Sequence, residues 1–316
     1  MVSMLIEGCG KMTQRNKANF ALLGVAMVWG SSFVLSKDTL NHLQTFNFLA
    51  LRFLLSGAIC SILFYRNMLT LTKRTLLHGT IIGTVLFFAY ALWAYGLNFT
   101  SASKSGFIIG FAVVIVPMLS AVILKKMPPT PSIAGAFVAV AGLAMLSLDG
   151  GTALHKGDLL TLAAAFMFAL HIITIGQFTL TADSIALAVV QISVVGILSL
   201  PVTLIWESPV IPIGTQVWLN LSLLIVLCTA VAYIVMNHMQ KYTSPTHTAL
   251  IFTTEPVFAA FFAFLLLGET LNLRGFIGSI FILSGMIISE LNWKKIFASS
   301  KRTSSVPVSQ AQNESS

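Results

Sequence analysis

The chain has 316 residues, of which 56% are hydrophobic and only 9% are charged, and its formal net charge is +8. Soluble domains carry about 25% charged residues, so the composition excludes that class and indicates a membrane protein. No cluster of basic and aromatic residues accompanies the positive charge, which argues against a nucleic-acid-binding surface.

Ten apolar stretches follow one another along the chain, joined by short connections. Each is close to the ~20 residues that cross a bilayer as a helix. Strands of a membrane barrel would alternate apolar and polar residues, and these stretches are continuously apolar. The sequence therefore predicts an all-α membrane protein with ten transmembrane helices at 19–36, 46–64, 75–97, 102–124, 132–149, 157–178, 186–206, 216–237, 247–267 and 273–291.

The ten stretches form two groups of five that resemble each other. A shift of 143 residues relates Tyr90 to Tyr233, Gly135 to Gly278 and Gly142 to Gly285, and a shift of 139 relates Trp29 to Phe168, Arg52 to Gln191 and Gly57 to Gly196. Because five spans is an odd number, the second group must enter the membrane upside down. Such inverted repeats are typical of secondary transporters, with the binding site between the halves.

The repeats divide the chain into four parts. We predict an N-terminal segment at 1–18, five-helix repeats at 19–149 and 157–291, and a disordered tail rich in Ser and Gln at 298–316. With the N-terminus inside, 13 of the 18 Lys and Arg residues fall on the cytoplasmic side and 4 outside. This bias predicts that both termini are cytoplasmic. Translation could start at Met1 or at Met12.

Three ionisable residues within predicted spans are candidates for function, because such residues are costly in a bilayer. Glu255, followed by Pro256, could bind a substrate amine or carry a coupling proton. Arg52 could bind a substrate carboxylate through its planar donors. Equally, the two could form a structural ion pair. His171 could serve as a proton relay, although a lone histidine among apolar residues is more often a hydrogen-bonded packing residue.

Aromatic and amide side chains complete the predicted substrate site. Tyr and Trp combine an apolar body with a polar group, which suits a cavity for amphipathic solutes. We predict that the site also includes Trp29, Tyr90, Trp93, Gln191, Tyr233 and Asn237. Packing between helices is the alternative explanation for Trp29. Proline breaks the helical hydrogen bonding, so Pro117 and Pro256 are candidate kinks during transport.

The chain resembles the two-repeat EamA-type carriers of the drug/metabolite transporter superfamily over roughly residues 19–291. The resemblance rests on Trp29-Gly30-Ser31-Ser32-Phe33, Ala50-Leu51-Arg52-Phe53, Tyr242-Thr243-Ser244-Pro245, Glu255-Pro256 and Leu267-Gly268-Glu269-Thr270. It implies an inverted ten-helix bundle, a central cavity, alternating access, a bacterial inner membrane and export of amino acids or related compounds. It also implies a structural role for Glu269. Lys125-Lys126 depart from the family pattern at the corresponding turn of the first repeat.

We therefore expect a secondary transporter of small molecules, with protons as a possible coupling ion. Efflux of drugs or aromatic compounds, or uptake of a metabolite, remain alternatives. No phosphate-binding loop of the GxxxxGK[ST] kind occurs, and we predict neither a cofactor nor a metal. An intramembrane enzyme would need convergent catalytic groups, but Asp38, Asp149, Asp158 and Asp183 all fall at or beyond span ends.

Overall fold

The computed structural model describes residues 14–123, 130–147, 155–243 and 245–290. Within these ranges it confirms the all-α fold, with helices wherever the sequence predicts a span. The helices at the predicted spans are α1 Gln14–Leu40, α2 Thr45–Leu63, α3 Lys73–Leu97, α4 Ala102–Gly110 with Ala112–Ile123, α5 Thr130–Ser147, α6 Lys156–Phe178, α7 Ser184–Trp206, α8 Thr215–Gln240, α9 Pro245–Phe252 with Glu255–Leu267, and α10 Leu273–Glu290. A short helix, Tyr65–Leu69, lies between α2 and α3. The predicted N-terminal start sites, the tail at 298–316 and Lys125-Lys126 lie outside the described residues.

Length and apolar composition agree with a bundle that crosses a membrane. Eight of the described helices are long and apolar enough to do so, and shorter apolar stretches occur in α5 and α10. Many large apolar side chains are exposed on the outside of the bundle; Phe137 of α5 and Trp206 of α7 are 75% and 77% exposed. Exposed apolar area on this scale is rare on soluble monomers, whereas a bilayer would cover it.

Two helices are interrupted at positions that the repeat makes equivalent. α4 breaks at Phe111, and the shift of 143 carries Phe111 onto Thr254. α9 breaks at Thr253 and Thr254, directly before Glu255. Paired discontinuous helices are what transporters with inverted repeats use to build a site in mid-membrane.

The two predicted proline kinks have different outcomes. Pro256 lies in the first turn of the second segment of α9, next to the break, where its missing N–H is tolerated. Pro117 lies inside the second segment of α4, and the interruption is at Phe111 instead. That Pro117 is a deformable point during transport stays a prediction.

Contacts between the two repeats are reciprocal. A Cβ atom added to Gly57 would lie 2.8 Å from Ser193 Oγ, and one added to Gly196 would lie 2.7 Å from the backbone nitrogen of Leu54. Leu54 and Ser193 are themselves related by the shift of 139. The contact of Gly57 with Ser193 and the contact of Gly196 with Leu54 are therefore the same contact, made once in each direction across the α2–α7 pair.

The same reciprocity joins α5 and α10 at their closest approach. A Cβ atom on Gly142 would lie 2.5 Å from the carbonyl oxygen of Gly278, and one on Gly285 would lie 2.5 Å from the carbonyl oxygen of Gly135. These separations leave no room for a side chain, so glycine lets the two backbones touch. Residues that the sequence spacing relates as repeat equivalents therefore make equivalent packing contacts between the two repeats.

Candidate functional site

A cavity lies between the two repeats, walled by α1, α3 and α4 of the first and α6, α8 and α9 of the second. These helices are repeat equivalents of each other, whereas α2, α5, α7 and α10 contribute no wall. The space open to the centres of water molecules is about 60 Å³, well below the size of a pocket that holds a drug-sized ligand. The breaks in α4 and α9 both border it.

Six of the nine predicted site residues line this cavity, and the other three do not. The residues that line it are Trp29, Tyr90, Trp93, His171, Tyr233 and Glu255. Arg52 and Gln191 do not line it because they come from α2 and α7, and Asn237 faces away within α8, where its amide donates to Tyr233 O at 2.9 Å.

Tyr90 and Tyr233 meet at the centre of the molecule. The hydroxyl of Tyr233 donates to the hydroxyl of Tyr90 at 3.0 Å, and both side chains are buried. The two residues are repeat equivalents, so the contact joins matching positions of α3 and α8. A hydrogen bond between equivalent residues places this pair where the two repeats converge.

Two tryptophans of the cavity have different roles. The indole nitrogen of Trp29 donates to Cys228 O at 2.9 Å, a carbonyl within the π-helical stretch Val226–Val231 of α8. The indole nitrogen of Trp93 is buried with no hydrogen-bond partner in the described structure, although its ring packs edge-on against Tyr90. A buried donor without a partner is costly, so Trp93 offers a ligand an unused hydrogen bond.

His171 reaches Gln191 behind the wall. Its Nε2 atom lies 2.8 Å from Gln191 Oε1, and its ring meets Tyr233 edge-on at 5.9 Å between centroids. With the Gln191 amide placed this way its oxygen accepts, so the contact requires the tautomer in which Nε2 carries the proton and Nδ1 is left as an acceptor. The hydrogen-bonded packing role that the sequence left open is present, and Gln191 acts on the cavity only through His171.

Arg52 is fully buried behind Tyr90. Its Nε donates to Thr229 Oγ1 at 2.8 Å and its Nη1 to Ser36 Oγ at 3.4 Å, while Nη2 has no partner in the described structure. The guanidinium carbon lies 5.1 Å from the ring centroid of Tyr90, with Phe48 and Phe53 also within 6 Å. Aromatic faces thus take the place of a counterion.

Glu255 is the acidic residue of the cavity, at the N-terminal end of the second segment of α9. Among the described residues its carboxylate has neither a hydrogen bond nor an ion pair, and the ion pair with Arg52 that the sequence allowed does not form. The first turn of a helix favours a negative charge. The structure thus leaves the carboxylate available to a ligand.

Sequence reasoning missed much of the apolar wall. Phe33 of α1, Phe168 of α6 and Phe252 of α9 line the cavity beside the predicted residues, and Phe252 packs on Trp29 at 5.2 Å between ring centroids. One signal was present, since Phe168 is the repeat equivalent of Trp29. Phe252 carries no such signal, because its position depends on the break that follows it.

A separate polar depression lies at the end of the bundle where α3 meets α4. Glu269 accepts hydrogen bonds from the backbone nitrogens of Ala102 and Ser103, each at 3.0 Å, so it caps α4 from the opposite repeat. Lys104 and Asp158 form an ion pair at 3.1 Å. The capping geometry accounts for a structural role of Glu269, as the family resemblance implies.

Among the described residues, eight helices long and apolar enough to span a membrane and two shorter apolar ones surround a central cavity, which is typical of a multi-pass membrane transporter. The chain belongs to the EamA-like transporter family, which matches residues 16–148 and 155–291.

Similar proteins agree with this assignment. An uncharacterized transporter of Archaeoglobus fulgidus is 30% identical over 90% of this chain and 89% of its own. An S-adenosylmethionine/S-adenosylhomocysteine transporter of Chlamydia muridarum is 23% identical over 84% of this chain and 89% of its own. A protein of known crystal structure, 18% identical, has the same fold, with a TM-score of 0.68 over 89% of this chain and 98% of its own.

Proposed function

We propose that this transporter is a secondary carrier that exports amino acids or related small compounds by alternating access. The observation that carries the proposal is the central cavity between the inverted repeats, with an unpaired carboxylate at Glu255. Interrupted helices on both sides of the cavity supply deformable points where the backbone can change conformation. In this proposal the substrate contacts Trp29, Tyr90, Trp93, His171, Tyr233 and Glu255.

We further propose that the protein resides in a bacterial inner membrane and exchanges substrate for protons. Glu255 can hold either a proton or a substrate amine, so the two would compete for one site. Competition of this kind couples the two fluxes, because the carrier returns with one occupant after releasing the other. Arg52 then supports the site from behind through its bonds to Thr229 of α8 and Ser36 of α1, and Gln191 through its bond to His171 of α6.

The proposal is tested by measuring which metabolites accumulate outside cells that overproduce the chain. We expect selective release of one group of amine-bearing compounds, lost in Glu255→Gln. The matched control is Glu207→Gln, which makes the same change where Glu207 caps α2 through Phe46 and Asn47, far from the cavity. Equal release by Glu255→Gln and the unaltered protein, at equal membrane abundance, contradicts the proposal.

Proton coupling has its own readout in proteoliposomes. We expect Glu255→Gln to abolish accumulation driven by a pH gradient, while exchange at saturating substrate continues. The reason is that glutamine cannot carry the proton but still fits the cavity. Full gradient-driven accumulation by the variant would contradict proton coupling through Glu255.

A second candidate function is transport of S-adenosylmethionine, which the names of relatives favour. The sulfonium of that compound is a cation, and cations bind well to aromatic faces. The cavity must widen to admit so large a molecule, since the space open to the centres of water molecules is only about 60 Å³ in this conformation. Counterflow of labelled S-adenosylmethionine in proteoliposomes tests this candidate directly.

A further inference from the structure

The cavity has an asymmetric charge. Its ionisable lining residues are Glu255, His171, Tyr90 and Tyr233, and no lysine or arginine of the described chain lines it. Glu255 is the only carboxyl group among the four. When it ionises it has no counterion among the described residues, so a bound positive group supplies the missing charge.

The guanidinium of Arg52 lies close to the cavity, but the ring of Tyr90 stands between them. Arg52 stands behind Tyr90, is 0% exposed, and directs Nε and Nη1 to the hydroxyls of Thr229 and Ser36. Because Arg52 does not line the cavity, a ligand carboxylate there has no contact with the guanidinium in this conformation. The site therefore has a carboxyl group, Glu255, that can bind an ammonium group, but no cationic side chain of the described chain that can bind the carboxylate of an amino acid.

The remaining wall is mostly aromatic. Rings of Trp29, Trp93 and Phe168 surround the tyrosine pair, and aromatic faces attract cations while also burying apolar surface. His171 adds an acceptor at Nδ1. A free carboxylate placed here would instead face aromatic rings and the charge of Glu255, and burying it unpaired is costly.

We propose that the cavity selects organic solutes with a net positive charge, an amine or onium group on an apolar body, over zwitterions and anions. This rests on the proposed function and narrows its substrate class from amino acids and related compounds to the cationic ones among them. Glu255 binds the positive group, and the aromatic rings bind the apolar body.

A series of three probes of matched shape tests the selectivity. 2-Phenylethylamine, L-phenylalanine and 3-phenylpropionate share a phenyl ring and differ in charge. We expect the amine to bind the purified full-length protein about tenfold or more tightly than phenylalanine, and the acid to bind most weakly. Titration calorimetry measures the affinity of each probe. In Glu255→Gln the affinities for the amine and for phenylalanine should become equal, whereas the control Glu207→Gln should still bind the amine more tightly.

Several results would overturn the proposal. These are equal or tighter binding of phenylalanine, no binding of the amine at millimolar concentration, and a preference that survives in Glu255→Gln. The comparison in the unaltered protein stands even if a variant does not fold. Counterflow of the bound probe separates the two proposals: selective binding without flux contradicts the carrier function alone, and flux of phenylalanine with no preference for the amine contradicts the cation selectivity alone.

Discussion

Arg52 and Glu255 are both ionisable residues within predicted spans, but their surroundings in the structure differ. An ionisable residue at mid-span costs about 2.5–3.5 kcal/mol on insertion scales, which made both residues candidates for substrate contact. Only Glu255 faces the cavity, whereas Arg52 is enclosed by Phe48, Phe53 and Tyr90. The difference arises from which helix bears each residue, since α9 lines the cavity and α2 does not.

At Arg52 we predict a gain of stability on loss of the charge. Replacing a poorly compensated buried charge by an apolar side chain of similar length is often neutral or stabilising, so Arg52→Met should raise the free energy of unfolding by about 1 kcal/mol. Arg52→Lys keeps the charge but loses the planar contacts with the rings, and should lower it. Thermal unfolding in detergent checks both, and a methionine variant less stable than the lysine variant would refute the argument.

At the level of helices, the repeat governs both the breaks and the close contacts. α4 and α9 are interrupted at the equivalent positions Phe111 and Thr254. Pro256 signalled the break in α9, but no proline marks Phe111, so the break in α4 could not be read from local sequence. The glycines were more informative, because Gly142 and Gly285 already stood out as repeat partners before their contacts were known.

Alanine at Gly142 or Gly285 should destabilise the protein, although alanine normally favours a helix. The added methyl would overlap a carbonyl oxygen of the facing helix, and overpacking of this kind costs about 1–3 kcal/mol. Gly24→Ala is the matched control, since nothing lies within 4 Å of its added Cβ atom. Thermal unfolding of the three variants is the measurement; a Gly142 variant as stable as the Gly24 variant would mean that α5 and α10 separate without cost.

Over the whole molecule, the inverted arrangement explains why one cavity forms from helices far apart in sequence. α1, α3 and α4 meet their equivalents α6, α8 and α9 around the hydrogen bond between Tyr90 and Tyr233. Inversion places equivalent residues at similar depth on opposite sides of the cavity. A carrier built this way can expose one site to either side of the membrane by moving its halves against each other.

The orientation of the molecule is predicted from charge and can be measured. Since 13 of the 18 Lys and Arg residues fall on one side, we expect both termini in the cytoplasm. Alkaline phosphatase, which is active only outside the cytoplasm, should be inactive when fused after Ser316 and active when inserted in the α7–α8 connection near Ser208. The opposite pattern would reverse the orientation of the whole bundle.

Hydropathy and repeat spacing were sufficient to predict the class of fold, the ten helices, the inversion and the equivalence of Tyr90 and Tyr233, but not the hydrogen bond between them. These features follow from the length of a bilayer span and from an odd number of spans in each repeat. The wall of the cavity depended on tertiary packing, because Arg52, Gln191 and Asn237 are polar residues within spans just as Glu255 is. Which of them faces the cavity is decided by how each helix is placed and rotated against its neighbours, and the ten helices must assemble before Glu255 and the aromatic rings share one space.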